Sequence, residues 1–259
     1  MVGLLTSISL CTLTGCLGDE EMNDERSVTA VVTLFEEQDG GCYCAVDGGG
    51  VLRITASSIQ KTLSENGISG IKRAVVGCTF SDKNKSKNTI TDEIVISNAN
   101  LFAFLAIPIF PVYVSNSSEE ADSVIAVVSQ PDSIDAIDQI NELYVYNGYL
   151  TIDFRAPCHY KVMPALTIVC DSLKGKDVYF RMLYNDHHVS DRSIIDGYTT
   201  LNKYLYSYNL ANSGIELPQD SVMLHFTTQC RSNLDYKVDL KVAPERFRPY
   251  FRYGYTVRE

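Results

Sequence analysis

The strongest constraint in this 259-residue chain is a period of two. Leu150, Ile152 and Phe154 alternate with Thr151 and Asp153, and Val178, Phe180 and Met182 repeat the pattern. Leu224 and Phe226 continue it, with His225 on the opposite, wet face. Tyr236, Val238, Leu240 and Val242 then alternate with Lys237, Asp239 and Lys241. Successive side chains of a strand point to opposite faces, so each segment has one face for a core and one for water. Several such strands with no helical period between them predict an antiparallel, immunoglobulin-like β-sandwich over residues 121–245. The 16 Tyr, in a chain without Trp, fit a β-rich protein.

The first half reads as a smaller β domain over residues 29–120. Val28–Phe35, Ala74–Phe80 and Ile90–Ile96 are β-branched and apolar. Gly48-Gly49-Gly50 makes a turn before a short strand at Val51–Ile54. One short helix is predicted at Ser57–Asn66, from the i,i+4 spacing of Ile59 and Leu63, with Ser57 or Ser58 as cap and Gly67 as stop. Short strands with a single helix suit a small barrel of the OB type. Pro108 and Pro111 exclude a membrane span from the apolar run Leu101–Val114, which reads as a buried strand pair or a domain interface. The polar stretch Ser115–Glu120 is the expected domain boundary. Ile134, Ile137 and Ile140 fit either a helical turn or extended chain.

The N-terminus reads as an address. Val2–Leu13 carries no charge and is too short for a spanning helix, which needs about 20 residues. It suits the apolar region of a secretory signal, although no Lys or Arg precedes it. Leu13-Thr14-Gly15-Cys16 resembles a bacterial lipobox, which implies a lipid on Cys16 and loss of residues 1–15. An apolar N-terminal strand is the plainer alternative. Five acids within Leu17–Glu25 make residues 16–28 a solvated tether, similar to signals that send lipoproteins to the cell surface.

Of the 8 Cys, Cys42, Cys44, Cys78, Cys158, Cys170 and Cys230 belong to the folded part. An oxidising compartment permits disulfides, but the spacings choose no pairing, and buried small side chains are the plainer reading. Cys42 and Cys44 stand on one face of a strand. No CxxC is present, so neither a zinc ribbon nor a thioredoxin-like site is indicated. Four Asp-Ser-aliphatic triplets resemble a bacterial O-glycosylation acceptor and mark Ser123, Ser133, Ser172 and Ser221 as candidate sugar sites.

Catalytic signatures are sparse. Asp186, His187, His188 and Asp191 form the one dense cluster with ligand chemistry, but adjacent His side chains converge only on a loop, and a solvated loop is the plainer reading. His159 follows Cys158, yet sequence neighbours seldom face each other as nucleophile and base. There is no Gly-x-Ser-x-Gly, phosphate loop or dinucleotide fingerprint. No cofactor and no metal are expected. The net charge of -10 disfavours nucleic acid, which needs a basic face. Residues 246–259 interleave Arg246, Arg248, Arg252 and Arg258 with Phe and Tyr, as a ligand-binding tail or as the end of a last edge strand.

These segments together resemble the NigD-like bacterial lipoproteins. Asn147–Phe154 is similar to the family's Gly-Tyr-Leu strand. Phe180–Asp186 resembles its Leu-Arg-His-Asn strand, with Tyr184 where His is usual. Gly48–Gly50 and Ile71–Val76 fit its first domain. The resemblance covers nearly the whole mature chain. It implies a lipobox, an acidic tether, an OB-type domain and a β-sandwich, and it carries no catalytic residue. The expected function is a lipid-anchored outer-membrane protein, exposed on the cell surface. It would bind a protein, peptide or glycan partner without catalysis, in a bacteriocin-associated or immunity-like role. The alternatives are a hydrolytic or metal-dependent surface enzyme and a structural subunit of a surface assembly.

Overall fold

In the computed structural model, strand β1 (Glu25–Glu36) is the hub of the first sheet. It pairs antiparallel with β2 (Cys42–Val46) on one side and β4 (Arg73–Ser81) on the other. The structure describes residues 25–63, 68–88, 93–114, 137–158, 164–185, 200–215, 220–230 and 233–247. β2 turns through three glycines into β3 (Val51–Ile54). Gly48, Gly49 and Gly50 all have φ near +100°, at 94°, 111° and 99°, where a side chain is strained. β6 (Ile94–Ala106) pairs antiparallel with β4 and parallel with β3, so the order β3-β2-β1-β4-β6 closes on itself. This five-stranded closure is the OB-type barrel expected from the sequence. A short β5 (Lys85–Lys87) adds to β6.

Helix α1 (Ala56–Thr62) lies between β3 and β4. Its cap is Thr55, two or three residues earlier than expected, and Thr55 Oγ1 accepts from the Ser58 amide. Ser58 has a different task. Its hydroxyl accepts from the Leu101 amide at 2.6 Å, and Thr62 donates to the Leu101 carbonyl at 2.8 Å, so the helix is fastened to β6. Ile59 then enters a core with Val32, Leu34, Leu52, Val76 and Leu101.

The chain divides into two compact units after Ile107. The residues expected to hold the boundary, 115–120, lie outside the described ones. The run Leu101–Val114 is a strand pair split between sheets: β6 stays in the barrel, while β7 (Ile109–Val114) belongs to the second unit. Residues 109–114 therefore leave the first domain to which the sequence reading assigned them.

The second unit contains β8 (Gln139–Tyr146), β9 (Tyr149–Cys158), β10 (Ala165–Lys174), β11 (Asp177–Asn185), β12 (Thr200–Asn209), β13 (Val222–Cys230) and β14 (Asn233–Val242). With β7 they form one sheet, ordered β14-β13-β11-β10-β7-β12-β9-β8. Most ladders are antiparallel, but β7 runs parallel to both β10 and β12, and β11 runs parallel to β13. The halves β8-β9-β12 and β10-β11-β13-β14 are thus continuous through β7 and curl around one core. Ile137 forms a bridge to Cys230 and Ile140 lies in β8, so these two are extended chain, while Ile134 lies outside the described residues.

The alternating apolar residues fill this core as expected: Leu150, Ile152, Phe154, Phe180, Met182, Leu224 and Phe226 are all buried. Three tyrosines join them, each with its hydroxyl satisfied by a carbonyl. Tyr184 donates to Pro157, Tyr206 to Pro164 and Tyr208 to Leu166. Thr151 and Asp153, expected on a wet face, are buried as well. Thr151 shares a hydrogen bond with Ser207, and Asp153 is held by Asn141 and by Lys203 at 2.8 Å. A four-residue helix α2 (Pro244–Phe247) ends the described chain and buries Phe247 in the same core. Arg246 and Phe247, expected to open the tail, are therefore part of the fold, and residues 248–259 lie outside the described ones.

Candidate functional site

Several sequence candidates lie outside the described residues: Cys16, Ser123, Ser133, His159, the segment 186–191 and residues 248–259. Ser172 and Ser221 are described and half-buried. Their preceding acids are engaged. Asp171 takes a two-pronged contact from Arg181 Nε at 2.7 and 2.8 Å, and Asp220 meets Lys176 at 2.6 Å. Lys176 holds the exposed Asp220 carboxyl below the usual carboxylate range by hydrogen bond and charge.

The cysteines are structural where they are described. Cys42, Cys44, Cys78, Cys170 and Cys230 are free and buried. Cys42 and Cys44 share a strand face with their sulfurs 3.6 Å apart. Burial pushes the Cys78 thiol up to about 12, and Cys170 and Cys230 up to about 11. The hydrogen bond to Cys42, and then burial, raise Cys44 too. Such thiols are poor nucleophiles at neutral pH.

The densest polar constellation centres on His225, in β13 on the outer face of the second sheet. Cross-strand register builds it: His225 sits opposite Tyr179 of β11 and Asp239 of β14. Nδ1 lies 2.7 Å from Asp239 Oδ1, and Nε2 lies 3.0 Å from Asp177 Oδ1. The ring stacks on Tyr179 with centroids 4.7 Å apart, and Lys174 Nζ lies 5.4 Å from the Tyr179 centroid. Hydrogen bonds to Asp177 and then Asp239 hold the imidazole pKa above its ordinary value. Both nitrogens act as donors to carboxylates in the protonated ring, which leaves no lone pair for a metal and no nitrogen for a nucleophile. This group is a clamp across three strands. No cluster of three or more His, Cys, Asp or Glu among the described residues is arranged to hold a metal.

A buried ion pair belongs to the first unit. Arg73 is 0% exposed, and its guanidinium meets Asp47 at 2.7 and 2.5 Å and Thr33 Oγ1 at 2.9 Å. It ties the glycine turn to β1 and β4. A shallow groove of about 320 Å³, lined in part by Phe110, Pro111, Asn209 and Asn212, has no titratable side chain in its wall. Large apolar side chains remain on the outer faces: Phe102 and Leu105 on the barrel, Leu173 and Tyr179 on the second sheet. The period of two showed which residues face outward. It could not show that Asp177, His225 and Asp239 fall in one row, because that requires the register of three strands.

With this fold in hand, solved structures match over most of the chain. A NigD-like immunity protein from Bacteroides caccae superposes with a TM-score of 0.51 at 13% identity, covering 84% of this chain and 97% of its own. The chain shares the NigD-like fold. A toxin-related protein from Parabacteroides distasonis has the same arrangement, with a TM-score of 0.54, 16% identity, and coverage of 85% and 96%. A protein of unknown function, DUF1344, from Bacteroides vulgatus gives 0.55 at 12% identity, with coverage of 87% and 96%. No family model and no curated protein matches the sequence. At these identities the NigD-like likeness is one of fold, spanning both units.

Proposed function

We propose that this chain is a NigD-like lipoprotein of the outer membrane that binds a partner at the cell surface without catalysis. The observation that carries the binding reading is the distribution of chemistry. His225 and the described thiols are locked into structural contacts, while Phe102, Leu105, Leu173 and Tyr179 stand exposed on sheet faces. Exposed aromatic and apolar side chains that share one sheet face, as Phe102 and Leu105 do, provide contact area for a partner. The motif ending in Cys16 and the acidic stretch after it support the anchor. An immunity-like role is supported by the fold shared with the B. caccae protein.

The test is the intact mass of the protein from the membrane fraction of its native host. The expected mass is that of residues 16–259 plus acyl chains, with sugar increments where Ser123, Ser133, Ser172 or Ser221 is modified. Cys16→Ser moves the protein to the soluble fraction. An unmodified chain of residues 1–259 in the soluble fraction overturns the lipoprotein reading.

A further inference from the structure

The outer wall of the barrel carries a platform that the pairings above leave unused. Between β4 and β6 the register slips by one residue: Gly77 faces Ala103, but Cys78 faces Leu101. Phe102 is the extra residue of a β-bulge. A bulge breaks the alternation, so Phe102 and Ala103 both stand on the outer face, between inward-facing Leu101 and Phe104. The Phe102 ring lies down across Gly77. A β-carbon on Gly77 would sit 2.7 and 2.8 Å from the ring's far edge, so any larger residue there would displace the ring. One ring face covers the glycine, and the side chain is still 55% exposed.

The neighbours of the ring follow from register. Thr29 of β1 faces Gly77. On one side lies the row Ser27, Thr79, Asn100, and on the other the row Val31, Val75, Leu105. The residues named in these rows carry hydroxyls, one amide and aliphatic groups, and the Asp47–Arg73 pair that borders the second row is buried and neutralises itself, in a chain of net charge -10.

We propose that this platform binds a neutral saccharide, with a sugar ring stacked on Phe102 and its hydroxyls met by Thr29, Thr79 and Asn100. The proposal rests on the reading of the chain as a non-catalytic binding protein and names its ligand class. A sugar ring offers an apolar C–H face to the electron-rich face of an aromatic ring. Its hydroxyls need partners that both donate and accept, which threonine and asparagine are. The uncharged rows select against ionic ligands, and nucleic acid would need cations. A peptide adding as a strand finds no edge here, because β1, β4 and β6 are each paired on both sides. A second copy of the chain would need roughly 800 Å² per partner, against a patch with only Phe102 and Leu105 as exposed large apolar groups.

The experiment is a backbone-amide NMR titration of the chain carrying Cys16→Ser. The probes are neutral oligomers of glucose, mannose and N-acetylglucosamine. Shifts are expected to cluster at residues 27–31, 75–79 and 100–105. Phe102→Ala raises Kd about tenfold, as loss of one stacking contact does, and Phe102→Tyr restores binding. Gly77→Ala, which lifts the ring, weakens binding without removing it. Thermal midpoints of the exposed-site variants report that they fold. Shifts confined to the second unit overturn the platform while upholding the binding reading. Titrations that Phe102→Ala leaves unchanged, or no binding to any probe, overturn it too. A dimer in sedimentation that Phe102→Ala dissolves assigns the patch to self-association instead.

Discussion

At the residue scale, the Arg73–Asp47 pair shows how a charged side chain can be buried on a sheet face away from the apolar core. Arg73 follows Ile71 and Lys72 in sequence and has the look of a surface cation, yet it is 0% exposed. Two carboxylate contacts and the Thr33 hydroxyl compensate its lost hydration. Asp47→Ala leaves that charge buried and is expected to cost about 3–5 kcal/mol, read from urea unfolding. Thr33→Val removes the hydroxyl that accepts from the guanidinium and is expected to cost about 1 kcal/mol. His225 makes a different prediction. Its folded-state pKa is raised by Asp177 and Asp239, so the stability it contributes is full below about pH 6.5 and is lost as pH rises through the folded value. Its ring protons should titrate above 6.5 by NMR, and Asp177→Asn should lower that midpoint.

At the element scale, two helices serve as fasteners. Without α1's Ser58 hydroxyl, the Leu101 amide loses that acceptor in a buried setting, and Ser58→Ala is expected to destabilise by about 1–3 kcal/mol. α2 inserts Phe247 into the second core, and the Arg246 carbonyl accepts from the Gly148 amide at 2.9 Å. Phe247→Ala is expected to cost about 3 kcal/mol, measured by denaturant midpoint. The strands themselves were legible, because an apolar and polar alternation reports faces directly. β7 was not. Its residues Ile109–Val114 read as buried chain, but nothing local says that both neighbours would run parallel to it. Pairing partners are chosen by distant segments, which leave no mark within the strand.

At the scale of the whole molecule, the described thiols fall into two groups: Cys42, Cys44 and Cys78 in the first unit, Cys170 and Cys230 in the second. Burial shields all five and raises those pKa values that are shifted. Pulsed alkylation of the native protein should leave them unlabelled, and rising denaturant should label each group together as its unit opens. Labelling of Cys78 in native buffer would contradict the closed barrel.

The sequence by itself determined the class of this protein: strands from the period of two, turns from glycine, and the outward or inward address of most side chains. It did so because those properties depend on residues one to four apart. The tertiary structure alone decided what those faces meet. It buried Arg73 against Asp47, set His225 between two carboxylates and laid Phe102 across Gly77. Each of these depends on the register between segments 14 to 48 residues apart, as with His225 and its partners Asp239 and Asp177. Register is fixed where one face of the sheet packs against a core, because a one-residue slip would turn the apolar set toward water.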